Sequence, residues 1–112
     1  MAMVTVAKKD DIGEGKMIGV EADDRKILIA RVDGTLYAMD AVCSHMQGEL
    51  PKGKLEGGVV TCPRHGSQFD VKTGEVVKQP GFAAKALTMG KGAEKLAVFK
   101  VVEDGDDVKV EV

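Results

Sequence analysis

The stretches CSH at residues 43–45 and CPRHGS at residues 62–67 decide the structural class of this 112-residue chain. Together they contain both cysteines and both histidines of the protein: Cys43, His45, Cys62 and His65. Every thiolate and imidazole that the chain can offer to a metal therefore falls between positions 43 and 65. Four residues scattered at random along the chain would rarely lie so close together. The clustering predicts that these four residues share one task.

The order of the ligands distinguishes two kinds of metal site. A structural zinc site commonly takes two cysteines from one turn and two histidines from another. Here each stretch supplies one cysteine and one histidine. This arrangement suits a two-iron cluster in which both cysteines bind one iron and both histidines bind the other. A zinc site and a purely structural role for the four residues are the alternatives.

The residues around the ligands resemble the Rieske ferredoxin family. The resemblance rests on the two ligand pairs and on the residues that follow the second pair, Gly66-Ser67, Phe69-Asp70, Thr73-Gly74-Glu75 and Pro80. It implies an all-β Rieske fold of three antiparallel sheets. A loop-rich cluster-binding subdomain, residues 40–81, would be inserted into a β base subdomain made of residues 1–39 and 82–112. It also implies one [2Fe–2S] cluster per chain, with Cys43, His45, Cys62 and His65 as ligands.

The resemblance also assigns expected roles to three residues near the cluster. The hydroxyl of Ser67 would donate a hydrogen bond to a bridging sulfide, and Pro80 would belong to a cover that shields the cluster from water. Phe69 stands where high-potential members carry a tyrosine that hydrogen-bonds a cysteine sulfur. Those members also have two further cysteines joined in a disulfide, whereas this chain has Gly48 and Arg64 there. These departures imply a soluble carrier of low reduction potential.

Outside the ligand stretches, the residue pattern predicts β-strands joined by tight turns. The expected strands are Met3–Lys8, Met17–Ala22, Lys26–Val32, Leu36–Met39, Leu96–Val102 and Val108–Val112. Asp23-Asp24 and Asp33-Gly34 predict hairpin turns. Residues 83–87 are compatible with a short helix.

Composition and charge limit the classes of function. With 16 basic and 18 acidic residues the formal net charge is −2, so the chain lacks the positive excess typical of nucleic-acid or anionic-membrane binding. No apolar run approaches the roughly 18 residues of a membrane span, and the first residues are too polar for a signal peptide. We therefore expect a single-domain, monomeric, cytoplasmic protein without a nucleic-acid or membrane partner.

The ligand inventory predicts an electron carrier with no catalytic residues of its own. A mononuclear-iron oxygenase needs two histidines and a carboxylate, and both histidines are already assigned to the cluster. The resemblance implies transfer of one electron from a reductase to a terminal oxygenase or a similar enzyme. A small subunit of a nitrite reductase-like complex and a structural zinc-binding protein are the alternative functions.

Overall fold

The computed structural model describes residues 3–42, 49–63, 66–78 and 95–112, which form an all-β protein with three antiparallel sheets. The expected fold class is confirmed. The strands are β1 (Met3–Lys8), β2 (Met17–Ala22), β3 (Arg25–Val32), β4 (Thr35–Asp40), β5 (Lys54–Glu56), β6 (Val59–Thr61), β7 (Gln68–Asp70), β8 (Val76–Lys78), β9 (Val98–Phe99), β10 (Val101–Asp104) and β11 (Asp107–Glu111). Helical structure in these ranges consists of two three-residue 3-10 helices, Lys9–Asp11 and Leu50–Lys52, neither of which is long enough to cross a membrane.

The three sheets are stacked, and each has its own strand order. Sheet A has the order β1-β11-β10, sheet B has the order β2-β3-β4-β9, and sheet C has the order β5-β6-β7-β8. Sheet C is built entirely from residues 54–78, whereas sheets A and B combine strands from both ends of the chain. Sheet B lies between the other two, because it contributes side chains to a hydrophobic core on each of its faces.

The central strand β3 shows how the sequence produces this stack. Residues 27–30 form an uninterrupted apolar run, and all four are fully buried. Because alternate side chains of a strand point to opposite faces, Ile27 and Ile29 enter the A/B core with Val108 and Val110. Leu28 and Ala30 enter the B/C core, which also contains Cys62 and Phe69. A strand covered on both faces has no need for alternating polar residues.

The two expected hairpin turns are present. Asp23 and Asp24 have φ angles of 49° and 64°, and Asp33 and Gly34 have 52° and 81°. Two consecutive positive φ angles are the signature of a type I′ turn, whose twist matches that of the flanking strands. The carboxylate of Glu14 accepts hydrogen bonds from the backbone N–H groups of Asp33 and Gly34 at 2.9 and 2.6 Å, which fixes the second turn.

The predicted strand Leu96–Val102 is wrong as a single element. Val98–Phe99 pairs with β4 in sheet B, and Val101–Asp104 pairs with β11 in sheet A. Lys100 lies between the two strands and accepts a backbone hydrogen bond from Glu111 at 2.9 Å. The chain crosses from one sheet to the other within this run, and because both pieces are rich in β-branched residues the local pattern does not mark the crossing.

Two contacts tie the sheets to one another. Arg31 on β3 donates to the carbonyl oxygen of Ile12 at 2.7 Å and to the carboxylate of Glu103 on β10 at 3.0 Å, which joins sheets A and B. The backbone N–H of Leu96 donates to the carbonyl oxygen of Gly74 at 2.8 Å, which joins the turn before β8 to the segment that leads into β9. A Cβ atom on Gly74 would lie 2.1 Å from the carbonyl oxygen of Leu96, so this approach requires glycine. The predicted helical stretch 83–87 lies outside the described residues.

Candidate functional site

The second ligand stretch lies at the end of the β6–β7 hairpin. Thr61 pairs with Gln68 as the last rung of the ladder, and the backbone N–H of Cys62 then donates to the carbonyl oxygen of Ser67 at 2.7 Å. The N–H of Gly66 donates back to the carbonyl oxygen of Cys62 at 3.2 Å. Gly66 has a φ of 80°, with open space where a Cβ atom would be, so the turn conformation is what requires glycine there.

Strand alternation places Cys62 and Ser67 on the inner face of this hairpin. Val60 and Phe69, each two residues away, have fully buried side chains in the B/C core. Cys62 lies two residues after Val60, and Ser67 lies two residues before Phe69, so both share that inner face. They are 4% and 0% exposed. Cys62 is a free cysteine. The hairpin therefore carries a thiol and a hydroxyl toward the protein interior.

The hydroxyl of Ser67 has no hydrogen-bond partner in the described part of the chain. Leaving a buried hydroxyl without a partner costs about 1–3 kcal/mol, and a bound ion or molecule is one way in which such a group gains a partner. A sulfide of an iron–sulfur cluster is such an acceptor. The buried Cys62 and the unpaired Ser67 hydroxyl together fit the donor set of a cluster.

Phe69, two residues after Ser67, is fully buried and belongs to the same core cluster as Cys62. Its ring has no donor or acceptor, so it contributes apolar surroundings and no hydrogen bond. The structure thus describes three of the expected site residues, Cys62, Ser67 and Phe69. The other four expected residues lie outside the described residues: Cys43, His45, His65 and Pro80.

The residues on either side of the first ligand stretch are hydrogen-bonded to each other. The backbone N–H of Leu50 donates to the carbonyl oxygen of Ala41 at 2.8 Å, and Val42 forms an antiparallel bridge with Glu49. Ala41 and Leu50 are buried in the B/C core, the same core that contains Cys62. The chain therefore enters and leaves residues 43–48 at a point that packs into the same core as the second ligand stretch.

An ion pair lies beside these flanking residues. The ammonium group of Lys52 lies 2.7 Å from the carboxylate of Glu49, and Lys26 approaches the same carboxylate at 3.9 Å. The hydrogen bond and the charge of Lys52 lower the pKa of Glu49, and the same contact raises the pKa of Lys52. Both groups are solvent-exposed, so this pair contributes little to stability.

Two features of the site had no signal in the sequence. The side-chain amide of Gln68 donates to the hydroxyl of Thr61 at 3.1 Å across the outer face of the hairpin. Gly53 lies so close to this hairpin that an added Cβ would be 1.9 Å from the carbonyl oxygen of Thr61 and 3.2 Å from the ring of Pro63. Local patterns identify neither contact, because the first depends on the register of the hairpin and the second on which segment packs beside it.

The fold and the site define a small protein of three stacked β-sheets in which one expected ligand, Cys62, is buried at the end of a hairpin beside Ser67. The chain belongs to the Rieske [2Fe-2S] domain family, whose model matches residues 2–103. That family implies a [2Fe–2S] cluster as the cofactor, in agreement with the buried donors described above.

Three similar proteins place the chain within this family. It is 34% identical over 112 residues to the ferredoxin component of biphenyl 2,3-dioxygenase from Rhodococcus jostii, an alignment that covers 100% of this chain and 94% of the relative. It is 38% identical over 77 residues to the ferredoxin component of naphthalene 1,2-dioxygenase/salicylate 5-hydroxylase systems from a Ralstonia species, which covers 69% of this chain and 74% of the relative. A chain in a solved complex of reduced oxygenase and oxidized ferredoxin in carbazole 1,9a-dioxygenase matches 96% of this chain and 91% of its own length, at 27% identity and a TM-score of 0.80.

Proposed function

We propose that this protein is a one-electron carrier that takes an electron from a reductase and delivers it to a terminal oxygenase. The single observation that carries the proposal is the buried Cys62 beside the unpaired hydroxyl of Ser67 at the end of a hairpin. The curated relatives are ferredoxin components of dioxygenase systems, which favours an oxygenase as the recipient. The protein would then be a component of an oxidoreductase system, and we propose that it works in the cytoplasm, as its sequence predicts.

Each expected site residue has a role in this proposal. Cys43 and Cys62 would hold one iron, and His45 and His65 would hold the other. When bound, the cluster supplies a centre that takes up and releases a single electron. The Ser67 hydroxyl would donate toward the sulfur atoms.

The residues around these ligands would exclude water from the cluster and support its ligand stretches. Phe69 and the B/C core exclude water from the side of Cys62. Pro80 would cover the opposite side. Residues 40–81 would form the cluster-binding subdomain, supported by sheet C, and residues 1–39 and 82–112 would form the base.

Metal and sulfide content test the proposal directly. Anaerobically purified protein is expected to contain about two irons and two acid-labile sulfides per chain. Cys62→Ser and His65→Ala should each lose the cluster, whereas Thr61→Ser should retain it because Thr61 faces the outer side of the hairpin. Stoichiometric zinc in place of iron would establish the structural zinc site instead.

Electron transfer is tested on the loaded protein. A flavin-containing ferredoxin reductase with its nicotinamide donor should bleach the visible absorption of the cluster. The protein alone, with reductant and oxygen, should oxidise no aromatic substrate, because the two histidines are used by the cluster and no ligand set is left for a catalytic iron. Substrate oxidation by the isolated protein would contradict a pure carrier role.

A further inference from the structure

The outer face of sheet C carries an ordered distribution of charge. Paired residues on neighbouring strands share a face, so the pairs Lys54–Thr61, Thr61–Gln68 and Gln68–Lys78 define one row across all four strands. The β7–β8 pairing shifts register between Gln68 and Phe69, and Val77 beside Lys78 is 54% exposed. The hydrogen bond between the Thr61 and Gln68 side chains confirms that they lie on the same face. This loop-end row has a lysine at each end and two neutral polar residues between them.

The loop-end row lies on the face opposite the buried site. The next residues along β6 and β7 on the inner face are Val60 and Phe69, whose side chains fill the B/C core. Cys62 follows Thr61 directly in the chain and continues the hairpin ladder toward Ser67. The row is therefore the last rung of the sheet before the ligand stretch, with half-buried Thr61 and Gln68 at its centre and an exposed lysine at each end.

The opposite end of the same face is acidic. Glu56 pairs with Val59, and Val59 pairs with Asp70, which forms a second row two residues from the first. The outer face is thus positive at the end that carries the ligand stretch and negative at the other end. A charge distribution of this kind orients an approaching charged partner before contact.

The charges of the loop-end row are available to a partner. Lys54 and Lys78 are both exposed, and neither forms an ion pair with a described residue. The neighbouring Lys52, in contrast, is held by Glu49 at 2.7 Å. Three strand spacings separate Lys54 from Lys78, a span of about 14 Å. Carboxylates distributed over a protein surface can reach both lysines across this span, whereas a small anionic probe reaches one lysine at a time.

We propose that the loop-end row, Lys54, Thr61, Gln68 and Lys78, is the docking surface for a carboxylate-bearing surface of the electron-accepting partner. The proposal rests on the carrier function above, which requires a partner to approach the ligand stretch. The four residues of the row are polar, with Val59 in the second row and the exposed Val77 as apolar neighbours, and weak electron-transfer complexes use small interfaces. A stable dimer of this chain would need a larger apolar surface than the row provides.

Inert paramagnetic ions of opposite charge test where acidic groups bind. Hexacyanochromate(III), a trianion, stands in for clustered carboxylates, and hexaamminechromium(III), a trication, is its matched opposite. In amide spectra of the uniformly labelled, loaded protein, the trianion should selectively broaden the backbone signals of Lys54 and Lys78 and the side-chain amide of Gln68. The double variant Lys54→Gln/Lys78→Gln should lose this broadening. Lys100→Gln should retain it, because Lys100 is an exposed lysine on the connection between sheets A and B.

Electron-transfer rates give a second readout on the same samples. Oxidation of the reduced protein by ferricyanide should slow roughly five- to tenfold in the double variant at low ionic strength, and this difference should shrink in about 0.1 M salt as the charges are screened. Oxidation by a cationic cobalt(III) complex should become faster in the double variant. Lys100→Gln should match the parent with both oxidants.

Three results would overturn the docking surface. The trianion could broaden a different surface, or the double variant could react like Lys100→Gln. Sedimentation could also show a low-salt dimer that the double variant abolishes, which would make the row an interface between copies of this chain. Iron and sulfide assays separate these failures from failure of the carrier function, because protein without a cluster overturns the proposed function itself. A loaded protein whose loop-end row does not attract the trianion overturns only the docking surface.

Discussion

The unpaired hydroxyl of Ser67 leads to a quantitative prediction for Ser67→Ala. The side chain is fully buried, and its oxygen has no partner among the described residues. The backbone carbonyl of the same residue is already used by the N–H of Cys62 at 2.7 Å. Under the proposed function the hydroxyl would donate to the cluster, and substitution by alanine would remove that hydrogen bond while changing little else.

The expected effect is a lower reduction potential. A hydrogen bond to a charged acceptor contributes about 1.5–3 kcal/mol, and it is stronger when the acceptor gains an electron. If about 1.4 kcal/mol of that bond is specific to the reduced state, the one-electron potential falls by roughly 60 mV. The variant should bind nearly as much cluster as the parent, while its reduction potential shifts.

Protein-film voltammetry of parent and variant measures this shift, with iron analysis to confirm equal loading. Thr61→Val is the matched control, because it removes a hydroxyl from the adjacent rung on the outer face, where the hydroxyl already accepts from Gln68 at 3.1 Å. Its potential should stay close to that of the parent. A shift for Ser67→Ala no larger than that of Thr61→Val, or a shift to higher potential, would refute the assignment of the hydroxyl.

Three further predictions follow from other parts of the structure. Gly53→Ala should lower the free energy of unfolding by about 3 kcal/mol, because its Cβ would lie 1.9 Å from a carbonyl oxygen on β6. In urea titrations the control Gly13→Ala, whose Cβ would have its nearest contact at 3.7 Å, should lower this free energy far less. Equal losses of stability in the two variants would contradict the prediction. Phe69→Tyr should raise the reduction potential by tens of millivolts, roughly 60 mV for a full hydrogen bond to the cysteine sulfur; destabilisation with no change in voltammetry would show that the ring points elsewhere. The contact between Lys8 and Asp107 lowers the pKa of Asp107 and raises that of Lys8, so it should stabilise the protein at neutral pH. This stabilisation should be lost as pH falls through the folded-state pKa of Asp107, below about 3.9, and again as pH rises beyond about 10.4. The urea midpoints of the parent and of Lys8→Met should therefore converge at both extremes of pH, and a constant difference between them would argue against the pair.

The sequence by itself determined the fold class and the candidate chemistry. The run Lys26–Val32 predicted a buried strand, and Asp33-Gly34 predicted a hairpin turn, because both signals are local and depend on side-chain polarity and backbone torsion. The ligand pattern from Cys43 to His65 indicated a cluster with two kinds of iron. That inference depended on the order of the ligands, one cysteine and one histidine in each stretch, and it left a zinc site as an alternative.

Tertiary structure decided the features that depend on which strands are neighbours. The run Leu96–Val102 divides between two sheets because its halves find different partners, and partners distant in sequence leave no local signal. The unpaired hydroxyl of Ser67 and the close approach of Gly53 to Thr61 also became visible only with the packing. The lysine row of Lys54 and Lys78 arises because antiparallel pairing places residues 24 positions apart on one rung across the sheet. Periodicity fixes which face of its own strand a side chain occupies, but only the assembled sheet fixes which side chains on other strands lie beside it.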